Sequence, residues 1–321
     1  MTTNSTAGLT QNGVSAMTFD NYRFPAHRLR RQQSDPNRIP LVLVACGSFS
    51  PISTLIISFG ALDSLEPRCA WLMAQFRGSE AETGPTCLPE RSLASYLHLR
   101  MFEMANDYAR INTQYEVVGG YLSPVSDAYK KAGLAPAIHR VRMCELAAEE
   151  TSSWLMVDPW EAVQPDFTPT AQVLDHFEYE LNQNIGGVLS ADGQQRRPVK
   201  IMLLAGADLI STMSTPGVWA EKDLDHILGS FGAMIVERSG TDIDEALASL
   251  KPWEDNIHVI TQMIQNDVSS TKIRMFLKRD MSIEYLLPRP VIRYIEEHNL
   301  YNGDDPNTKD KQKASQGCQT A

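Results

Sequence analysis

Two short stretches carry the residue types that could handle a phosphate chain. In "NDVSSTKIR", Ser269, Ser270 and Thr271 stand where a helix would open, and Lys272 and Arg274 bring two positive charges into its first turn or so. The first N–H groups of a helix lack intrahelical partners and point outward, ready for an anion. Cations there oppose the helix dipole by roughly 0.3–1 kcal/mol each at exposed sites, so a bound anion is what would offset them. A capped helix with incidental surface cations is the plainer alternative. In "CGSFSPIS", Gly47 ends an apolar run with no Cβ to obstruct a phosphate, and Ser48 adds a hydroxyl. An ordinary strand-ending turn has the same look, and the stretch is not the G-x-G-x-x-G fingerprint of dinucleotide-binding dehydrogenases.

Other pieces follow further apolar runs. "AGADL" offers Gly206 and Asp208, small then acidic, a pairing suited to a ribose or an amide. "DPWEA" and "GVWAE" each put a tryptophan, Trp160 and Trp219, in a loop beside an acid. A loop tryptophan often only covers core, but two such rings could sandwich a flat heterocycle, especially a cationic one. "SPVSDAYKKAG" adds Lys130 and Lys131, which by themselves read as solvated lysines, and "YLHLRMFE" places His98 near a helix start. Neither a Ser-His-Asp set nor a paired-carboxylate site stands out.

These residues need a scaffold, and the chain can supply one. Its 321 residues, 43% hydrophobic and 21% charged, fall in the soluble globular class and allow one large α/β domain or two small ones. A net charge of -10 excludes the diffuse basic surface that holds nucleic acid, so any bound anion needs a local positive pocket. Five cysteines without a C-x-x-C pair argue against a disulfide framework and a zinc site, and fit a reducing compartment. The N-terminus has no basic region followed by an apolar run, and no stretch reaches the roughly 18 apolar residues that span a bilayer. The expectation is a protein that is neither secreted nor membrane-embedded, cytoplasmic and/or nuclear. "HRLRR" at residues 27–31 reads as a weak nuclear signal or a solvated tail.

Six runs, "IPLVLVACG", "YEVVGGYL", "WLMVD", "KIMLLAGAD", "GAMIVER" and "NIHVIT", have the near-continuous apolar character of strands covered on both faces. Helical patterns alternate with them, which predicts a parallel sheet with helices on both sides. "APAIHRVRMCELAAEE" places Pro136 in a first turn with Ile138, Val141, Met143 and Leu146 on or near one face. "TPTAQVLDHFEYELN" starts with Thr168 as a cap and Pro169 as first residue. Residues 1–37 and 303–321 are polar and read as disordered tails. Residues 54–95 break the rhythm and match neither a clean helix nor a clean strand.

The order and spacing of "ACGSFSPIS", "YLHLRMFEMANDY", "VVGGYLSPVSDAYKKAGL", "HRVRMCELAAEE", "MVDPWEAVQ", "LLAGADL", "PGVWAEKDL" and "NDVSSTKIR" resemble the eukaryotic nicotinamide mononucleotide adenylyltransferases of the nucleotidyltransferase superfamily. The resemblance covers residues 39–301 apart from 54–95. It implies an α/β, Rossmann-like parallel sheet with helices on both faces, in one domain at residues 38–302. It further implies transfer of the adenylyl group of ATP to nicotinamide or nicotinic acid mononucleotide, giving NAD or deamido-NAD and pyrophosphate. By the same resemblance Gly47 and Ser48 line the nucleotide loop, and His98 faces the phosphates. Lys130, Ser270, Thr271, Lys272, Ile273 and Arg274 hold ATP, with His98 and Arg274 as the catalytic pair. Trp160, Val218 and Trp219 contact the nicotinamide, while Gly206, Asp208 and Asn266 bind ribose and base. Mg²⁺ arrives with ATP, the resident metal sites are none, and a homo-oligomer without nucleic-acid or membrane partners is expected.

The departure is residues 54–95. In the family "PI-[TS]" runs directly into "x-x-H-L-R", whereas here the segment separates the loop from His98. A translated non-coding stretch and a lineage-specific loop both fit its abrupt edges. The sequence therefore leaves a nucleotide-binding protein without catalysis, an interaction scaffold and another adenylyltransferase of the superfamily as competing readings, and predicts that the segment displaces His98 from the loop.

Overall fold

The computed structural model describes residues 22–50, 97–131, 133–237, 243–263 and 268–301. Residues 54–95, Asn266 and the tail at 303–321 lie outside the described residues, as do residues 1–21. In chain order the elements are β1 (Ile39–Gly47), α1 (Leu97–Asn112), β2 (Tyr115–Pro124), α2 (Ala137–Thr151), β3 (Leu155–Val157), α3 (Thr170–Glu178), β4 (Val188–Leu189) and β5 (Arg196–Arg197). They continue with β6 (Lys200–Gly206), α4 (Ala207–Met213), α5 (Glu221–Leu224), β7 (Ala233–Val236), α6 (Ile243–Ser249), β8 (Ile257–Ile260), α7 (Ser270–Lys278) and α8 (Arg289–Glu297).

The six apolar runs become one six-stranded sheet of order β3-β2-β1-β6-β7-β8, parallel throughout. β4 and β5 form a separate antiparallel pair. Alternation along β1 decides the layering: Leu41, Leu43 and Ala45 join a core with α1, α2 and α8, while Val42 and Val44 join a second core with α3, α4 and α6. Both faces are thus covered, which is why the strands read as continuous apolar runs. Strand order reverses between β1 and β6, so the loops leaving these two strands open a crevice beyond their carboxyl ends. The glycine pair in "VVGGYL" has a packing cause. A Cβ on Gly120 would come within 2.6 Å of Leu155 Cδ2 and 2.7 Å of Trp154 Cζ3.

Three sequence expectations change. Residues 22–37 are part of the fold and not a disordered tail. Leu29 is buried, the Arg30 N–H donates to the Val118 carbonyl at 2.8 Å, and the Gln33 N–H to the Leu189 carbonyl at 2.9 Å. Within "HRLRR", Arg28 donates to the carbonyls of Ala148 and Leu155, and Arg30 pairs with Glu116 at 2.7 Å. Burial alone would push the Glu116 carboxyl up, but N–H donors at Ser34 and Asp35, with Arg30, outweigh it and hold it below the ordinary carboxylate value.

The prolines also sit one place earlier than expected. Pro136 and Pro169 are themselves the N-cap residues of α2 and α3, with extended backbone and no side-chain cap bond, so Thr168 stands too early to cap and is buried instead. Finally, the buried face of α2 runs through Ala137, Arg140, Val141, Met143, Cys144, Ala147 and Ala148, and leaves Ile138 and Leu146 only half-buried. That face includes an arginine with no exposed surface.

Candidate nucleotide-binding site

The chain leaving β1 turns sharply at residues 47–50. Phe49 adopts φ 38°, in the left-handed region that an aromatic side chain rarely enters. Such backbone costs of order 1–3 kcal/mol and persists only where neighbours over-determine it. Here they do. The Phe49 ring is buried and meets His98 edge-on, ring centroids 5.1 Å apart. The separation that residues 54–95 impose in sequence is therefore closed in space, and His98, at the start of α1, lies buried against the loop.

Three of the loop carbonyls turn to protein donors. Gly47 O accepts from the Val125 N–H at 3.0 Å, and Ser48 O from Arg140 Nη1 at 3.2 Å. Ser50 O accepts from Arg274 Nη1. Arg140 spends its remaining donors on the Ala135 carbonyl (2.8 Å) and Asp127 Oδ1 (3.0 Å), so its buried charge is fully engaged. With the negative ends of these three peptide groups taken up inside the protein, they do not oppose a phosphate at the loop.

Helix α7 supplies the next part. Ser269, not Ser270, is its cap: Ser269 Oγ accepts from the Lys272 N–H at 3.1 Å. Ile273 is fully buried and its N–H donates to the Ser269 carbonyl, so it anchors the helix; the side chain of Ser270 is buried too. Thr271 and Arg274, one turn apart, are joined by an Arg274 Nη2 to Thr271 Oγ1 bond of 3.1 Å, and Lys272 is exposed. Burial holds the Arg274 guanidinium below its ordinary value.

A cavity of about 350 Å³ opens beyond β1, walled by Gly47, Ser48, Lys131, Glu161, Val218 and Trp219 among others. Of the two lysines it is Lys131 that reaches this wall. Lys130 ends a short helical turn in a left-handed conformation, φ 48°, and its exposed side chain borders a neighbouring groove. The Lys131 ammonium is held below the usual lysine value by burial and then by the charge of Arg274. The opposite charge is muted: burial pushes the Glu161 carboxyl up to about 8, further raised by Asp158 and opposed by Ser123 and Arg140, and Ser123 Oγ–H donates to it at 2.6 Å. Near neutral pH Glu161 thus carries little negative charge, while Asp223 is a second carboxyl on the cavity lining.

The tryptophans differ. Trp219 faces the cavity with its Nε1–H donating to Thr212 Oγ1 at 3.1 Å, whereas Trp160 is stacked flat on His176, 4.2 Å apart at 5°, and is not part of the cavity wall. His176 is in turn tied to Asp158 at 2.9 Å. One face of Trp160 is thus taken up by His176. Gly206, at the end of β6, has open space where a Cβ would project, and Asp208 follows in the first turn of α4. Sequence reading missed Arg140 and Glu161, and named Lys131 without giving it a role; an arginine in the apolar register of α2 was the available signal for the first.

Comparison with known proteins gives a consistent picture. Residues 93–276 match the family described as cytidylyltransferase-like. The chain is 50% identical over 295 residues to nicotinamide/nicotinic acid mononucleotide adenylyltransferase 2 of Saccharomyces cerevisiae, covering 91% of this chain and 64% of that protein. It is 51% identical over 294 residues to the Schizosaccharomyces pombe nicotinamide/nicotinic acid mononucleotide adenylyltransferase, covering 91% of this chain and 68% of that one. The rice protein of the same name is 43% identical over 214 residues, 66% of this chain and 82% of the relative. The chain spans less than two thirds of the length of the Saccharomyces relatives, 64% and 61%.

The empty space over Gly206 generates a test. Gly206→Val introduces a side chain that meets no protein atom near its Cβ, so the melting temperature should stay within a few degrees of the parent. If the crevice is the nucleotide site, ATP affinity measured by calorimetry falls at least about tenfold, the equivalent of 1.4 kcal/mol of overpacking. Unchanged affinity would move the site away from the end of β6.

Proposed function

The chain belongs to the nicotinamide/nicotinic acid mononucleotide adenylyltransferase family, and from that premise we propose that its crevice joins ATP to nicotinamide mononucleotide or its acid form. The mononucleotide's phosphate oxygen, already ionised at neutral pH, attacks the α-phosphorus of ATP. The new O–P bond forms as the bond to the β-phosphate's bridging oxygen breaks, and pyrophosphate leaves with the electron pair. No proton has to move from the nucleophile, so the protein's task is to align two polyanions and stabilise charge on the α-phosphate and the leaving group.

The observation that carries this reading is the grip of Arg274, on α7, on the phosphate loop at Ser50, with Lys131 on the cavity lining that begins at Gly47 and Ser48. A phosphate chain would offset the repulsion that each of these cations exerts on the other. In this reading Arg274 and Thr271 contact the phosphates, His98 donates to them from α1, and Lys131 takes the role the sequence suggested for Lys130. Gly47 and Ser48 let the phosphates approach, and Trp219 with Val218 receives the pyridine ring. Gly206 and Asp208 hold ribose. Among the described residues no three His, Cys, Asp or Glu side chains gather into a metal-binding group. Mg²⁺ enters with ATP, where it would neutralise charge on the phosphates while keeping several waters.

The direct assay is formation of NAD or deamido-NAD and pyrophosphate from ATP and each mononucleotide; a folded chain that makes neither product contradicts the proposal. Arg274→Ala should lower kcat by a hundredfold or more, on the scale of about 2.7–4 kcal/mol for losing one charge-stabilising donor. Near-normal turnover in a folded variant would remove Arg274 from the site. The depressed Lys131 pKa predicts a pH effect of definite sign. As pH rises through that lowered value the ammonium is lost, so the ATP dissociation constant should increase in a range below that of an ordinary lysine. Lys131→Arg keeps its charge and should abolish that alkaline loss; an identical profile in both proteins would exclude Lys131 as the phosphate contact.

A further inference from the structure

We propose that Tyr301 is a positioning residue of the phosphate loop and acts through Ser50. The inference rests on the reading of the crevice as an adenylyl-transfer site, and concerns what holds that site in shape from behind.

Ser50 is fully buried and is a meeting point of distant parts of the chain. Its Oγ accepts from the Ala135 N–H at 3.0 Å, just ahead of α2, and shares a 2.8 Å hydrogen bond with the Tyr301 hydroxyl. Its carbonyl accepts from Arg274 on α7. The hydroxyl of Tyr301 therefore touches the residue that Arg274 grips, without Tyr301 being part of the cavity wall.

The backbone that delivers Tyr301 is unusual. After α8 the chain takes φ 48° at Asn299 and φ 68° at Tyr301, two left-handed residues that are not glycine. Each costs roughly 1–2 kcal/mol, and such turns last only where side chains fix them. Leu300 between them is buried, and its N–H donates to the Ile295 carbonyl at 3.0 Å. The end of α8 is thus bent so that one aromatic hydroxyl reaches the loop. Burial, the main cause, pushes that hydroxyl up to about 12, with Ser50 and Arg274 opposing, so it is a neutral partner at working pH.

Tyr301→Phe keeps the ring and removes only the hydroxyl. We expect kcat to fall about five- to tenfold, the range of one lost hydrogen bond, with the mononucleotide KM within about twofold and a melting temperature lower by no more than a few degrees. Pyrophosphate titrated into the full chain by calorimetry should bind weaker by a similar factor. Ser50→Ala provides the second route: combined with Tyr301→Phe it should lose little beyond the worse single variant, because both remove one contact. Wild-type kcat and wild-type pyrophosphate affinity in Tyr301→Phe would overturn the inference while the adenylyl-transfer reading stood, as would losses that multiply fully in the double variant. A wild-type chain that makes no dinucleotide sinks the functional reading, and the pyrophosphate titration then decides the inference alone. A chain that binds no pyrophosphate at all overturns both.

Discussion

The carbonyl oxygens of Gly47, Ser48 and Ser50 are taken up by donors from three separate parts of the chain, and the rest of the site depends on that. A peptide carbonyl pointing into the crevice would repel a phosphate. Val125 draws away the oxygen of Gly47, Arg140 that of Ser48 and Arg274 that of Ser50. The sheet sets up the first of these through the register of β1 against β2, which pairs Gly47 with Pro124 immediately before Val125. The helices set up the other two. A fully buried Arg140 is tolerable because its guanidinium is satisfied by two carbonyls and Asp127; removing such a partner typically costs 3–5 kcal/mol.

The same constraint explains the strain. Phe49 stays at positive φ because its ring is locked in the core beside His98 and the next residue is gripped by Ala135, Arg274 and Tyr301. It also explains the electrostatics of the crevice. The charge of Arg274 bears on Lys131, and Glu161, a buried carboxyl on the cavity lining, is pushed toward its neutral form. A polyanion therefore meets cations and donors, in a chain whose net charge is -10.

The fold was legible where burial is two-sided. All six continuous apolar runs are strands of the one parallel sheet, and the residues after β1 and β6 lie at the reversal of strand order. The start of α7 was legible from its Ser/Thr run, within one residue of the observed cap. Features made by distant contacts were not. Arg140 looks like any helical arginine until Ser48 and Asp127 are brought to it, and Tyr301 meets Ser50 from the far end of the chain. Lys130 and Lys131 are indistinguishable in sequence, and a single left-handed residue decides which one reaches the cavity. The polar stretch at residues 22–37 reads as a tail because its anchoring is by hydrogen bonds to Val118, Leu189 and Glu116, with few apolar residues of its own.

If the loop is held from behind by Ser50, then the join between Ser53 and His98 does not set its geometry. The most direct test removes residues 54–95, bringing the chain to "GSFSPISYLHLRMFE", and compares kcat with the full-length protein. A displaced histidine would be corrected by the deletion, since a misplacement of about 1 Å can cost on the order of a hundredfold in rate. A loop already fixed by Arg140, Arg274 and Tyr301 predicts kcat within about threefold of the parent, because loop closure adds only about 0.6 kcal/mol per doubling of length. A rise of about tenfold or more would show that the segment, and not the Ser50 contacts, governs where the loop and His98 meet.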